Sequence, residues 1–185
     1  MWRTLLQVCQ RWRNLIFGSP RRLDLQLVCT TRTPARDTPD IWPALPSLPL
    51  VVEDHYCQEE GLIALLERSD LVPRISQIEL FNVHLEDISK AMEIPFPELT
   101  HLELGRSNEE TEPVLPLSDL FLGGSAPRLQ FLHLNRILFP GLPKLLSSAT
   151  HLTHLLLERI PHSGYISPEA LVACLYFDRP WCTSP

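Results

Sequence analysis

Apolar residues recur along this chain at the first, fourth, sixth and ninth positions of a nine-residue word. Complete copies are Ile75-Ile78-Leu80-Val83, Leu129-Leu132-Leu134-Ile137 and Leu152-Leu155-Leu157-Ile160. A further copy, Leu99-Leu102-Leu104, carries Ser107 at the ninth position. Two apolar residues separated by one other residue face the same way on a strand, so each word predicts a short strand with that pair inward. Between the words the apolar spacing turns helical: Leu62, Leu65 and Leu66 share a face, as do Leu85, Ile88 and Met92, and Leu142, Leu145 and Leu146. Ser167 and Pro168 read as the N-cap and first residue of a last helix running through Leu171, Val172 and Leu175. Strand and helix alternate, which predicts an α/β fold with one parallel sheet.

Looser pairs occur at Leu25/Leu27 and Leu50/Val52. The first apolar residue of each pair then falls at 25, 50, 78, 102, 132 and 155, giving steps of 25, 28, 24, 30 and 23. Periods of about 20–29 residues with a Leu-x-x-Leu-x-Leu core mark a leucine-rich-repeat solenoid with a curved parallel sheet. The longest step contains RSNEETEPV (Arg106 to Val114), a polar stretch read as a loop insertion. Val83, Ile137 and Ile160 stand where such repeats usually carry Asn or Cys, so the turns are expected to stack through aliphatic contacts. Leu102, Leu104, Leu132, Leu134, Leu155 and Leu157 are expected to form fully buried rows.

Residues beside the paired leucines point the other way. This places Gln77, Glu79 and Phe81 in one row on the concave face, followed by His101, Glu103 and Gly105, by Phe131, His133 and Asn135, and by His154, Leu156 and Glu158. Phe81, Phe131 and Leu156 among acids and histidines suit anchors within a polar rim, and the row is read as a surface for an unidentified target protein. With three histidines near Glu79, Glu103 and Glu158, binding is expected to vary between about pH 5 and 8.

Composition sharpens the picture. At 44% hydrophobic residues the 185-residue chain can bury a core, and 18 prolines against 7 glycines punctuate many short elements. No apolar run approaches the ~18 residues that span a bilayer, so no membrane partner is expected. The five cysteines form no close pair, which favours reduced thiols and a cytoplasmic or nuclear location. Of 16 basic residues five are arginines within residues 1–22, which hold no acid; the remainder therefore has 11 bases against 22 acids. That acidic body argues against nucleic-acid binding by the repeats.

The basic head carries an apolar stripe of Leu5, Val8, Cys9, Trp12, Leu15 and Ile16 at helical spacing. A capping helix for the repeats or a mitochondrial presequence would each fit it. Its wording LLQVCQRWRNL (Leu5 to Leu15), with Val8-Cys9 and Arg11-Trp12-Arg13, resembles the second half of an F-box; the first two helices of that module have no counterpart after Met1. The words IWPALPSLPL (Ile41 to Leu50), FLGGSAPRLQ (Phe121 to Gln130), LPKLLSSATHL (Leu142 to Leu152) and IPHSGYISPEAL (Ile160 to Leu171) are similar to those of a large family of fungal F-box/leucine-rich-repeat proteins. The resemblance implies a partial F-box over residues 1–20, irregular leucine-rich repeats over 21–175 and a tail without repeat pattern over 176–185. It implies that a Skp-family linker docks on Leu5, Val8, Cys9 and Trp12 and that the repeats hold a target for a cullin-type ubiquitin ligase. A free-standing repeat scaffold without a ligase link, or a mitochondrially targeted repeat protein, are the other readings.

Chemistry-bearing patterns are weak. Phe121-Leu122-Gly123-Gly124-Ser125 lacks the Lys-Ser/Thr of a phosphate loop and reads as a turn. Pro43, Pro46 and Pro49 read as a rigid lead-in to the strand at Leu48 to Val52 rather than a polyproline ligand. His151 and His154 face opposite sides of a strand, and no Ser/His/Asp or Cys/His set stands out, so neither a metal, a cofactor nor an enzymatic activity is expected.

Overall fold

In the units that begin at Ile75, Leu99, Leu129 and Leu152 the apolar residues at positions 4 and 6 drive one face of a short segment out of water, and the result among the described residues is an α/β fold on an open, all-parallel sheet of six strands. In chain order these are β1 (Leu27–Thr30), β2 (Leu50–Asp54), β3 (Ile75–Phe81), β4 (His101–Gly105), β5 (Phe131–Asn135) and β6 (His154–Glu158), each paired with its sequence neighbours. A computed structural model describes Arg11 and residues 26–30, 48–54, 59–82, 85–106 and 116–176. Four short α-helices lie among these: α1 (Glu59–Leu66), α2 (Leu85–Ala91), α3 (Leu142–Ser148) and α4 (Pro168–Tyr176). None is long and apolar enough to cross a membrane.

The core is a single apolar layer between the inward face of the sheet and the helices. Ile78, Leu80, Leu102, Leu104, Leu132 and Leu134 are buried in it together with Leu62, Leu65 and Leu66 of α1, Ile88 of α2 with Met92 just beyond it, and Leu142, Leu145 and Leu146 of α3. Ile137 is buried as the aliphatic turn residue its position predicts. The glycine-containing stretch predicted as a turn is one: Leu122, Gly123 and Gly124 all have left-handed φ values (57°, 65° and 70°), and the Leu122 N–H donates to Met92 O at 2.7 Å. Ser167 caps α4, its Oγ accepting the Ala170 N–H at 3.2 Å, with Pro168 at the first helical position.

Two expectations are corrected. The first two strands align with the others at Cys29 and at Val52 and Asp54, two residues or more beyond the expected Leu25 and Leu50; Leu27, Leu50 and Val52 are buried inward as expected, and Leu25 lies outside the described residues. Pairing runs Cys29↔Val52↔Ile78, and Asp54 stands opposite Leu80 at 2% exposure. A register irregularity between Leu50 and Val51, which pairs Leu50 with Ile75 but Val51 with Gln77, lets Leu50 remain inward. Along the row Cys29, Val52, Ile78, Leu102, Leu132 and Leu155 the steps are 23, 26, 24, 30 and 23. The second correction is at β6: Leu155 and Leu157 are half-buried rather than fully buried. Leu157 lines an apolar cavity of about 460 Å³ together with Ile137, Leu142, Ile160, Ile166 and Leu171 among others. The last helix runs through Leu171 and Val172 as expected, with Leu171 half-buried and Val172 53% exposed.

Two devices recur with the unit and were not anticipated. At the second position of the word a hydroxyl stitches one unit to the preceding one: Ser76 Oγ donates to Leu50 O (3.1 Å), Thr100 Oγ1 to Ser76 O (3.0 Å) and Thr153 Oγ1 to Gln130 O (3.0 Å). At the eighth position, just past the strand, the backbone turns left-handed at Asn82, Arg136 and Arg159 (φ 58°, 61° and 50°). Asn accepts that conformation readily, whereas arginine adopts it at some steric cost. The N–H groups at this position still serve the sheet, Asn82 donating to Gly105 O (2.9 Å) and Arg136 to Glu158 O (2.9 Å).

Candidate functional site

The helices cover one side of the sheet and leave the other side, among the described residues, without a covering layer. All-parallel sheets are usually buried on both faces, so an open face calls for polar residues; the alternation within β3 to β6 supplies most of them, whereas β1 and β2 place Val28 and the buried Val51 in the same row. The structure places all eleven residues predicted to bind a target (Gln77, Glu79, Phe81, His101, Glu103, Phe131, His133, Asn135, His154, Leu156 and Glu158) on this one side, in three rows that run across the strands. One row is Gln77, His101, Phe131, His154; the next is Glu53, Glu79, Glu103, His133, Leu156; the third is Phe81, Gly105, Asn135, Glu158.

Each row has its own chemistry. In the first, the His101 and Phe131 rings stack with centroids 4.1 Å apart and planes 1° from parallel, and His154 leans on Phe131 at 6.0 Å. The spacing follows from neighbouring strands holding equivalent side chains about 4.8 Å apart. In the second row three carboxylates stand side by side. His101 Nε2 lies 3.7 Å from Glu79 Oε1 and 3.9 Å from Glu103 Oε2, while Glu103 Oε1 meets His133 Nδ1 at 2.6 Å. In the third, Phe81 lies so close over Gly105 that a Cβ there would come within 2.5 Å of its ring, and the Asn135 amide donates to Glu158 Oε2 at 3.2 Å.

Burial differs along the face. His133 retains only 13% of its side-chain exposure, whereas Glu158 retains 50% and Leu156 is 37% exposed. Glu53, on β2, belongs to the carboxylate row and was missed because the assumed register of β2 was two residues away. The polar residue between Val52 and Asp54 is its signal in the sequence. Among the described residues no group of three or more His, Cys, Asp or Glu is placed to hold a metal ion, and neither Cys29 nor Cys174 is in a disulfide. Leu5, Val8, Cys9 and Trp12, the residues expected to meet a linker protein, lie outside the described residues, as does the tail beyond Tyr176. Comparison with family models, with curated proteins and with solved structures finds no match for this chain.

Proposed function

We propose that this chain is a non-catalytic protein-binding adaptor: a leucine-rich-repeat solenoid whose open, concave sheet face holds a target protein, with an N-terminal segment that docks on a Skp-family linker of a cullin-type ubiquitin ligase. One observation carries the target-binding half. The open face of the sheet combines a stacked aromatic row on β4 to β6 with an adjoining row of carboxylates on β2 to β4, half-buried on β3 to β5 and exposed at β6. Such a mixture of planar anchors and polar rim is what protein interfaces favour, and a catalytic site would instead gather its groups in a concave pocket. The recurrence of the strand at intervals of 23 to 30 residues, with a left-handed turn in three units and a hydroxyl stitch in three, supports the repeat reading. The ligase half rests on the resemblance of residues 5–15 to an F-box helix.

Two co-purifications from cells test the halves separately. With Phe131→Ala and Glu103→Lys, loss of the wild-type partner set is expected, and retention by both variants would rule out the face. With Trp12→Ala, loss of the Skp-family linker is expected while target partners remain. A wild-type chain that never retains the linker reduces the proposal to a free-standing interaction scaffold.

A further inference from the structure

The open face carries a row of carboxylates and two buried side-chain atoms without a hydrogen-bond partner. Glu53, Glu79 and Glu103 stand opposite one another on three successive strands, and like charges so placed destabilise a sheet. No lysine or arginine occurs in any of the six strands to offset them. His133 Nδ1 faces Glu103 at 2.6 Å, so with the ring neutral that nitrogen carries the hydrogen, an assignment made from the contact. Nε2 is then an acceptor; it is buried without a hydrogen-bond partner, with Glu158 Oε2 3.7 Å away. Asn135 spends its Nδ2 on Glu158, and its Oδ1 is likewise buried without a partner. Buried polar atoms are rarely left unsatisfied, and both of these need a donor.

We propose that this face recognises an arginine side chain within an extended basic segment of the target, a reading that rests on the protein-binding function above and specifies it. A guanidinium carries five N–H donors in a planar fork, charge to relieve the carboxylate row, and a flat surface that packs against aromatic rings. Glu158 is half exposed and touches the neighbourhood of both orphaned acceptors, so rotation of that one side chain admits the fork to His133 Nε2 and Asn135 Oδ1. A lysine ammonium offers three donors around one point and cannot serve acceptors on both residues together with a carboxylate in one plane. A nucleic acid backbone would meet only like charge.

The test is calorimetric titration of the full chain with a short peptide of alternating arginine and glycine, and with its lysine and citrulline counterparts. The arginine peptide is expected to bind at least about tenfold more tightly than the lysine one, with no binding by citrulline. Glu79→Gln with Glu103→Gln is expected to weaken binding at least about tenfold. Glu67→Gln with Glu93→Gln removes the same charge from exposed positions beside α1 and α2, and is expected to change affinity less than about threefold. Asn135→Leu, which alters no charge, is expected to lower arginine affinity alone. Equal affinity for the lysine peptide, equal losses for the two double variants, or an unaffected Asn135→Leu would each overturn the proposal. Thermal melts confirm that each variant is folded. If the arginine peptide does not bind while Phe131→Ala still strips partners in cells, the protein-binding reading stands and the arginine one falls.

Discussion

Leu132 and Leu155 are neighbours in one row of the sheet and carry the same side chain, yet their surroundings differ. Leu132 is fully buried between β4 and β6, whereas Leu155 is half-buried on the last described strand. Truncation of Leu132 leaves a hole that close-packed neighbours cannot fill, so Leu132→Ala is expected to cost about 2–5 kcal/mol in a denaturant melt. Leu155→Ala removes less buried area and is expected to cost less than about 2 kcal/mol. Equal losses would mean that something outside the described residues covers β6. The carboxylate row gives the opposite sign. Glu53→Gln relieves a like-charge contact with Glu79, and a gain of roughly 0.2–1 kcal/mol is expected. If stability instead falls, Glu53 has a partner that the row does not reveal.

At the scale of strands and turns, the inner pairs at Ile78/Leu80, Leu102/Leu104, Leu132/Leu134 and Leu155/Leu157 were legible because apolar alternation fixes which face is inward. In the first two strands the inward face was legible at Leu27, Leu50 and Val52, but the register was not. Side-chain direction repeats every two residues, so a one-residue slip inverts a strand but a two-residue slip leaves its faces unchanged. Leu25/Leu27 and Leu50/Val52 satisfy the pattern as well as the true pairs do. The true pair on β2 includes Asp54, which no hydrophobic pattern would select, and the irregularity at Leu50 hides the offset. The hydroxyl stitch did have a signal, Ser or Thr recurring at 76, 100 and 153; the left-handed turn had one only at Asn82, since Arg136 and Arg159 give no hint of it. Gly105 shows how an element serves the face. It has no left-handed φ; it is glycine because the Phe81 ring occupies the space of a Cβ. Gly105→Ala is expected to displace that ring and weaken target binding several-fold while preserving the charge of the face, which co-purification alongside Phe81→Ala would check. Thr100→Val, which removes one stitch and leaves Ser76 O with one donor fewer, is expected to cost about 0.5–1.5 kcal/mol.

Over the whole molecule, the burial pattern makes stability uneven along the row of units. The middle strands β3, β4 and β5 bury their inward residues almost completely, at 0–1% exposure, and each is hydrogen-bonded on both edges. At β6 the inward leucines are half-buried, Leu157 lines an apolar cavity of about 460 Å³ and the covering helix α4 shows Val172 to water at 53%. A void forfeits dispersion contacts of its lining, and regions with few buried contacts open locally at lower free energy than the core. Native-state hydrogen exchange is therefore expected to show the slowest amides in β4 and its neighbours, with β6 and α4 opening earlier as one unit. The Leu145 and Leu146 side of α3 is buried against the core and belongs with the slow group, so the boundary of the fast unit is expected to fall after α3. Protection of β6 equal to that of β4 would show that the partial burial of Leu155 and Leu157 does not weaken this end of the sheet. Binding at the open face supplies a second check, because rows running from β3 to β6 tie the weak unit to the strong one. A ligand that contacts both Glu103 on β4 and Glu158 on β6 is expected to slow exchange in β6 more than in β4, whose amides are already near the global limit. A ligand that slows only β3 and β4 would engage the carboxylate row without reaching His133 and Asn135.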